Sequence, residues 1–185
     1  PVFKLLLDNR NNQLNASQGW FANVVFRPNL IAFGSGADWK SLLIDVRKYI
    51  RLNTHTQNVL AIWSYSWLTL NGIPPYLLLP STGWDDTYNT GRGFIQGRYR
   101  GRNLLYVETE YRFGISKNGL IGGVVFTNAQ SISREINTNI RGVAIGYGAG
   151  IRIKANKHSN TNICIDYGIG KDGSNGISVN LGEVF

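Results

Sequence analysis

Apolar and polar positions alternate with a period of two in segment after segment of the chain, and helical periodicity is nearly absent. The pattern is cleanest over residues 103–115, where Leu105, Val107, Thr109, Tyr111 and Phe113 interleave with Tyr106, Glu108, Glu110 and Arg112. One face of that strand is apolar and the other charged. Over residues 142–153 the set Val143, Ile145, Tyr147, Ala149, Ile151 and Ile153 opposes Gly142, Ala144, Gly146, Gly148, Gly150 and Arg152, so the second face is nearly bare. At 162–170, Ile163, Ile165, Tyr167 and Ile169 oppose Asn162, Cys164, Asp166 and Gly168; at 176–185, Ile177, Val179 and Leu181 lead to Phe185. Weaker alternation predicts strands over 2–8, 19–27, 41–51, 58–70 and 120–129, nine in all.

The predicted connections alternate in length. Residues 52–57, 116–119 and 155–161 form short ones and 28–40, 71–102 and 130–141 long ones, with 171–175 a short exception on the long side. Transmembrane barrels have that asymmetry, with short periplasmic turns and longer outer loops. Counting back from the end places Phe185 on the periplasmic side and 71–102 outside. A soluble β-sandwich or lipocalin-like barrel also alternates, but its outward face is charged. Here the polar face of the later strands is glycine, asparagine, serine and single charges, which suits a water-filled lumen. Aromatic residues toward strand ends, Trp20, Trp67, Phe113 and Phe185, match the girdles expected at membrane interfaces.

Composition adds exclusions. Charged residues make up 16% of the chain, below the quarter usual in soluble domains, and no apolar run approaches the roughly 20 residues of a membrane helix. The net charge of +8 is scattered rather than clustered, so no nucleic-acid partner is expected. Cys164 has no second cysteine to pair with and is expected to be a free thiol without a role. His55 and His158 fall in predicted periplasmic turns, so no metal centre, cofactor or catalytic set of nucleophile, base and orienting group is expected. The chain contains no methionine and no signal-like segment, and the start of the protein is expected to lie upstream.

Within the longest connection, Gly91-Arg92-Gly93-Phe94 reads like the Arg-Gly-Phe/Tyr signature of the BamA/TamA family of the bacterial surface antigen superfamily. Pro74-Pro75-Tyr76 before it, Gln96-Gly97-Arg98-Tyr99-Arg100-Gly101 after it and then Glu110-Tyr111-Arg112-Phe113 follow in the family's order and spacing. Asp8-Asn9-Arg10-Asn11-Asn12 with Gly19 resembles its strand-turn-strand motif, and Asp166-Tyr167-Gly168 and Gly182-Glu183-Val184-Phe185 resemble its last two strands. The tripeptide alone has no weight. The ordered set spans essentially the whole chain.

The resemblance implies an all-β transmembrane antiparallel barrel of sixteen strands preceded by periplasmic domains, of which residues 1–185 would supply about the last nine strands. A lone sheet edge in lipid leaves backbone groups unpaired, so either further strands or another copy must complete it. It implies that the long loop re-enters the lumen, where Arg92 pairs with Glu110 and the flanking Gly93 and Phe94 shape the tip. Where the family carries Phe-x-Asp-x-Gly this chain has Phe126-Thr127-Asn128-Ala129-Gln130, so Asn128 would accept a hydrogen bond in place of a carboxylate and hold the loop less firmly. Ile177, Val179, Leu181 and Phe185 would form a C-terminal strand signal read by assembly machinery, with Glu183 an unusual carboxylate near the headgroups. The implied activity is insertion of other barrel proteins into the bacterial outer membrane, with client proteins, lipid and accessory subunits as partners. A polypeptide-secreting pore, or the membrane anchor of a fused enzyme, is the alternative.

Overall fold

The computed structural model describes residues 1–53, 58–133 and 142–185. Nine strands form one antiparallel sheet in chain order: β1 Phe3–Asp8, β2 Gly19–Asn29, β3 Trp39–Arg51, β4 Val59–Gly72, β5 Asn103–Gly114, β6 Ile121–Ser133, β7 Ala144–Asn156, β8 Thr161–Gly170 and β9 Asn175–Leu181. Every predicted strand is present. Most begin or end one to four residues from their predicted limits, because ladder pairing extends past the alternating core, as between Asn103 and Ser133. The last differs in a more consequential way: β9 stops at Leu181, where Gly182 takes φ +90° and turns the chain off the sheet.

The two faces of the sheet have opposite chemistry. Leu105, Val107, Val125, Ile145, Tyr147, Ile151, Ile165, Tyr167, Ile177, Val179 and Leu181 are exposed on one face. On the other, Asp45, Glu108, Glu110, Arg112, Asn128, Gln130, Arg152 and Asp166 are buried. A water-soluble sheet has the reverse arrangement, because apolar area is driven out of water and charge is costly to bury. An apolar exterior and a polar interior are what a lipid surround requires. No helix among the described residues is long and apolar enough to cross a membrane.

The buried face is concave, and both ends of the sheet fold chain into it. At the short-turn end, the β1–β2 turn is built by asparagines. Asn12 Oδ1 accepts from the Leu14 and Asn15 amides, and Asn11 Oδ1 from those of Ser17 and Gln18. Gly19 closes the turn at φ +99°, where a Cβ would lie 2.4 Å from the Asn9 carbonyl oxygen. The turn then reaches across the concavity, with Asn15 donating to the Asn160 carbonyl between β7 and β8. His158 lies in that same β7–β8 turn, while His55 and part of each of the predicted connections 52–57 and 130–141 lie outside the described residues.

An aromatic cluster fills the concavity beside the polar groups. Trp63 and Ala61 of β4, Tyr49 of β3, and Leu104 and Tyr106 of β5 pack with Phe185, whose ring centroid lies 5.1 Å from that of Trp63. Phe185 is therefore neither a girdle residue nor the outward continuation of Ile177, Val179 and Leu181. It is 5% exposed, whereas Ile177 is 73% exposed. The bend at Gly182 sends residues 183–185 inward, where the Phe185 ring packs on Trp63 and Tyr49.

Candidate functional site

The long connection after β4 crosses the concave face and returns to β5. It is braced from within: Asp85 Oδ1 accepts from the Thr90 amide at 2.8 Å and the Thr90 hydroxyl at 2.7 Å, and Thr82 donates its hydroxyl to Gln130 Oε1 of β6 at 2.8 Å. Its tip needs Gly91 and Gly93, with φ +80° and +92°, a region where glycine alone is unstrained. A Cβ on Gly93 would lie 2.9 Å from the backbone of Ile169, so the tip rests directly on strand β8.

The wall beneath the tip is bare for that reason. A Cβ on Gly168 would meet the Gly93 amide nitrogen at 2.6 Å, and one on Gly146 would meet the Arg92 carbonyl oxygen at 3.0 Å. Gly146 of β7 and Gly168 and Gly170 of β8 thus make room for the loop. Sequence periodicity marks that face as empty without saying what occupies it.

Arg92 is 5% exposed and reaches carboxylates on two distant strands. Nη1 donates to Asp166 Oδ2 of β8 at 2.8 Å, and Nη2 donates to Glu110 Oε2 of β5 at 2.6 Å and to Glu108. Burial opposes the charge on the guanidinium, and these carboxylates outweigh it, raising its pKa well above the usual arginine value. The face of the guanidinium lies 3.8 Å from the ring centroid of Phe126 on β6, a cation–π contact worth about 2 kcal/mol when desolvated. Tyr106 donates its hydroxyl to Glu108, fixing that carboxylate in turn.

The structure brings Arg92 together with Glu110, and Glu108 and Asp166 join them. The other expected partner acts differently. Asn128 does not accept from the guanidinium; its Nδ2 donates to the Arg92 backbone carbonyl at 2.9 Å. An amide can serve a carbonyl where a carboxylate cannot. Phe94 leans on the same wall, with Tyr99 against its ring at 5.7 Å.

Beyond Arg92 the charges continue into a ring. Asp166 Oδ1 accepts from Arg152 Nη1 of β7 at 2.5 Å, and Arg152 Nε donates to Glu183 Oε2 at 2.7 Å. Glu183 Oε2 lies 3.6 Å from Arg112 Nε, which donates to Glu110 Oε1 at 2.5 Å and so returns to Arg92. Glu183 therefore does not sit near headgroups; its side chain is buried, and Asn162 donates to its other oxygen. The tail is tied at three further points. Arg112 Nη2 donates to the Phe185 carbonyl at 2.9 Å, Asn89 Nδ2 to the Val184 carbonyl at 3.0 Å, and the Cys164 thiol to the Gly182 carbonyl at 2.9 Å.

This arrangement is a closed set of ion pairs. Among the described residues there is no cluster of three or more potential metal ligands, and every carboxylate of the ring is held by a guanidinium. It is a positioning device that joins the tip of the long loop to the end of the last strand. No curated relative matches the chain. The Omp85 superfamily domain matches residues 2–185, and its members are non-enzymatic outer-membrane proteins that insert or secrete other proteins. The chain belongs to the Omp85 superfamily.

Proposed function

We propose that residues 1–185 are the C-terminal part of a sixteen-stranded outer-membrane barrel of the BamA/TamA type, which assembles other barrel proteins by letting their strands add at its seam. The observation that carries this reading is the last strand. β9 has seven residues where β8 has ten, because Gly182 ends it early. A seam closed by so short a strand has fewer ladder bonds to hold it, and a strand edge once opened is a template for another chain.

Occupancy of the concave face favours the edge over the lumen as the route for a client. The loop tip enters that face from one end, and the β1–β2 turn with residues 183–185 enters it from the other. A passive secretory pore would need all three to leave together. In the proposed orientation the short turns and Phe185 face the periplasm, the long loop faces outward, and accessory subunits meet the short-turn end. Further strands of the same protein, or a second copy, complete the barrel.

The test is reconstitution of the full-length protein in lipid vesicles with an unfolded client barrel. The client should gain its folded, heat-modifiable form several times faster than in empty vesicles, and Arg92→Ala should remove most of the gain. A client that assembles no faster than in empty vesicles would contradict the reading.

A further inference from the structure

A cavity of about 430 Å³ opens at the short-turn end of the concave face, beneath the arginine ring. Its walls carry polar groups, Asn15 and Ser17 from the β1–β2 turn, Asn160 and Asn162 from the β7–β8 hairpin, Arg51 from β3 and Lys154 from β7, beside the apolar Val59, Phe113, Leu120 and Ile121. Gly114 of β5, Gly119 of the β5–β6 turn and Gly122 of β6 line the side at that turn.

The charges on these walls are unequal. Arg112, Arg152 and the Glu183 carboxylate form the floor, and both arginines are engaged by carboxylates of the ring, Glu183 among them. Arg51 and Lys154 are not: Arg51 Nη2 donates to Ser17 Oγ at 2.5 Å, and Lys154 Nζ donates to Asn160 Oδ1. Among the described residues neither has a carboxylate within ion-pair distance, and both project from the inner face of their strands. Two cations held by neutral acceptors in a semi-enclosed cavity leave positive charge for a ligand to meet, and a confined site screens that charge less than open surface does.

We infer that this cavity binds carboxylate side chains of an extended, acidic polypeptide segment. Polar groups outweigh apolar ones in its lining, which fits a polypeptide main chain better than the acyl chains of a lipid. Asparagine side chains supply donors and acceptors of the kind a main chain needs, and Arg51 and Lys154 supply the selectivity for its charge. The inference rests on the assembly reading above, in which unfolded polypeptide arrives at this end.

The test uses the full-length barrel in detergent micelles and a fluorescein-labelled ten-residue peptide rich in glutamate, followed by fluorescence anisotropy. A peptide with each glutamate replaced by glutamine is the comparison. The acidic peptide should bind at least ten-fold more tightly, and Arg51→Gln and Lys154→Gln should each weaken it several-fold. Arg51→Lys and Lys154→Arg should restore most of the affinity, with gel mobility reporting that every variant is folded. Equal binding of the two peptides, or variants that bind like the parent, would overturn the inference, as would displacement by inorganic phosphate beyond that by chloride at equal ionic strength. Failure of the assembly reading shows separately, as unchanged client folding in vesicles by the unsubstituted protein.

Discussion

Asn128 donates its side-chain amide to the backbone carbonyl of Arg92 at 2.9 Å, leaving the Arg92 guanidinium to carboxylates on β5 and β8. The resemblance to the BamA/TamA family leads one to expect a carboxylate at this position, and restoring it should do harm here. Asn128→Asp would oppose the Arg92 carbonyl with negative charge and add a fifth acid to Glu108, Glu110, Asp166 and Glu183. It should cost more than Asn128→Ala, whose loss of one buried hydrogen bond is about 1–3 kcal/mol. The temperature at which the barrel loses its folded gel mobility compares them, and an Asn128→Asp protein more stable than Asn128→Ala contradicts the geometry.

The bare wall under the loop tip predicts a steric effect with a built-in control. Gly168→Ala places a methyl group 2.6 Å from the Gly93 nitrogen and should lift the tip, at a cost of about 1–3 kcal/mol. Gly176→Ala meets nothing within 4 Å and should be silent. Protease cleavage within residues 85–97 should rise in the first variant only. Equal cleavage in both would mean that the tip does not rest on β8.

The ring predicts coupling between loop and tail. Asp166→Asn and Glu183→Gln each leave an arginine partly uncompensated, at up to about 3–5 kcal/mol when burial is complete. Arg152 bridges the two acids, so the double variant should fall short of the sum by about 0.5–3 kcal/mol. Full additivity of their melting shifts would sink the ring as a connected unit.

The assignment of the exposed face to lipid is tested at Ile165. Ile165→Arg puts a charge on the apolar exterior in mid-strand, where it costs about 2–4 kcal/mol in a bilayer. Recovery of folded barrel in lipid vesicles should fall sharply, with a smaller loss for Lys4→Arg, already a charged position. Normal recovery of Ile165→Arg would reverse the two faces.

Much of this is legible in the amino-acid sequence because strand periodicity is local. Leu105 through Arg112 announce an apolar and a charged face by their order alone, and Glu110 follows as a partner once Arg92 is placed in the lumen. Glu108 carried the same signal, standing two residues earlier on the same face. Asp166 is different: its contact with Arg92 spans 74 residues and needs the register of four strands and the path of the loop, which period-two alternation does not encode. The inward turn of residues 182–185 was hidden for a similar reason. Val179, Leu181 and Phe185 fit one alternating strand on paper, and only the positive φ of Gly182 and the waiting ring of Trp63 send Phe185 the other way.

The central claim is that Arg92 pins the long loop inside the concave face, and amide hydrogen exchange of the full-length protein in lipid nanodiscs tests it most directly. Peptides covering residues 82–97 should exchange slowly in the unsubstituted protein, and at least ten-fold faster in Arg92→Ala, while peptides from β5 and β6 change little. Exchange over 82–97 as fast as in the exposed turn at 116–119, or unaltered by Arg92→Ala, would contradict the account.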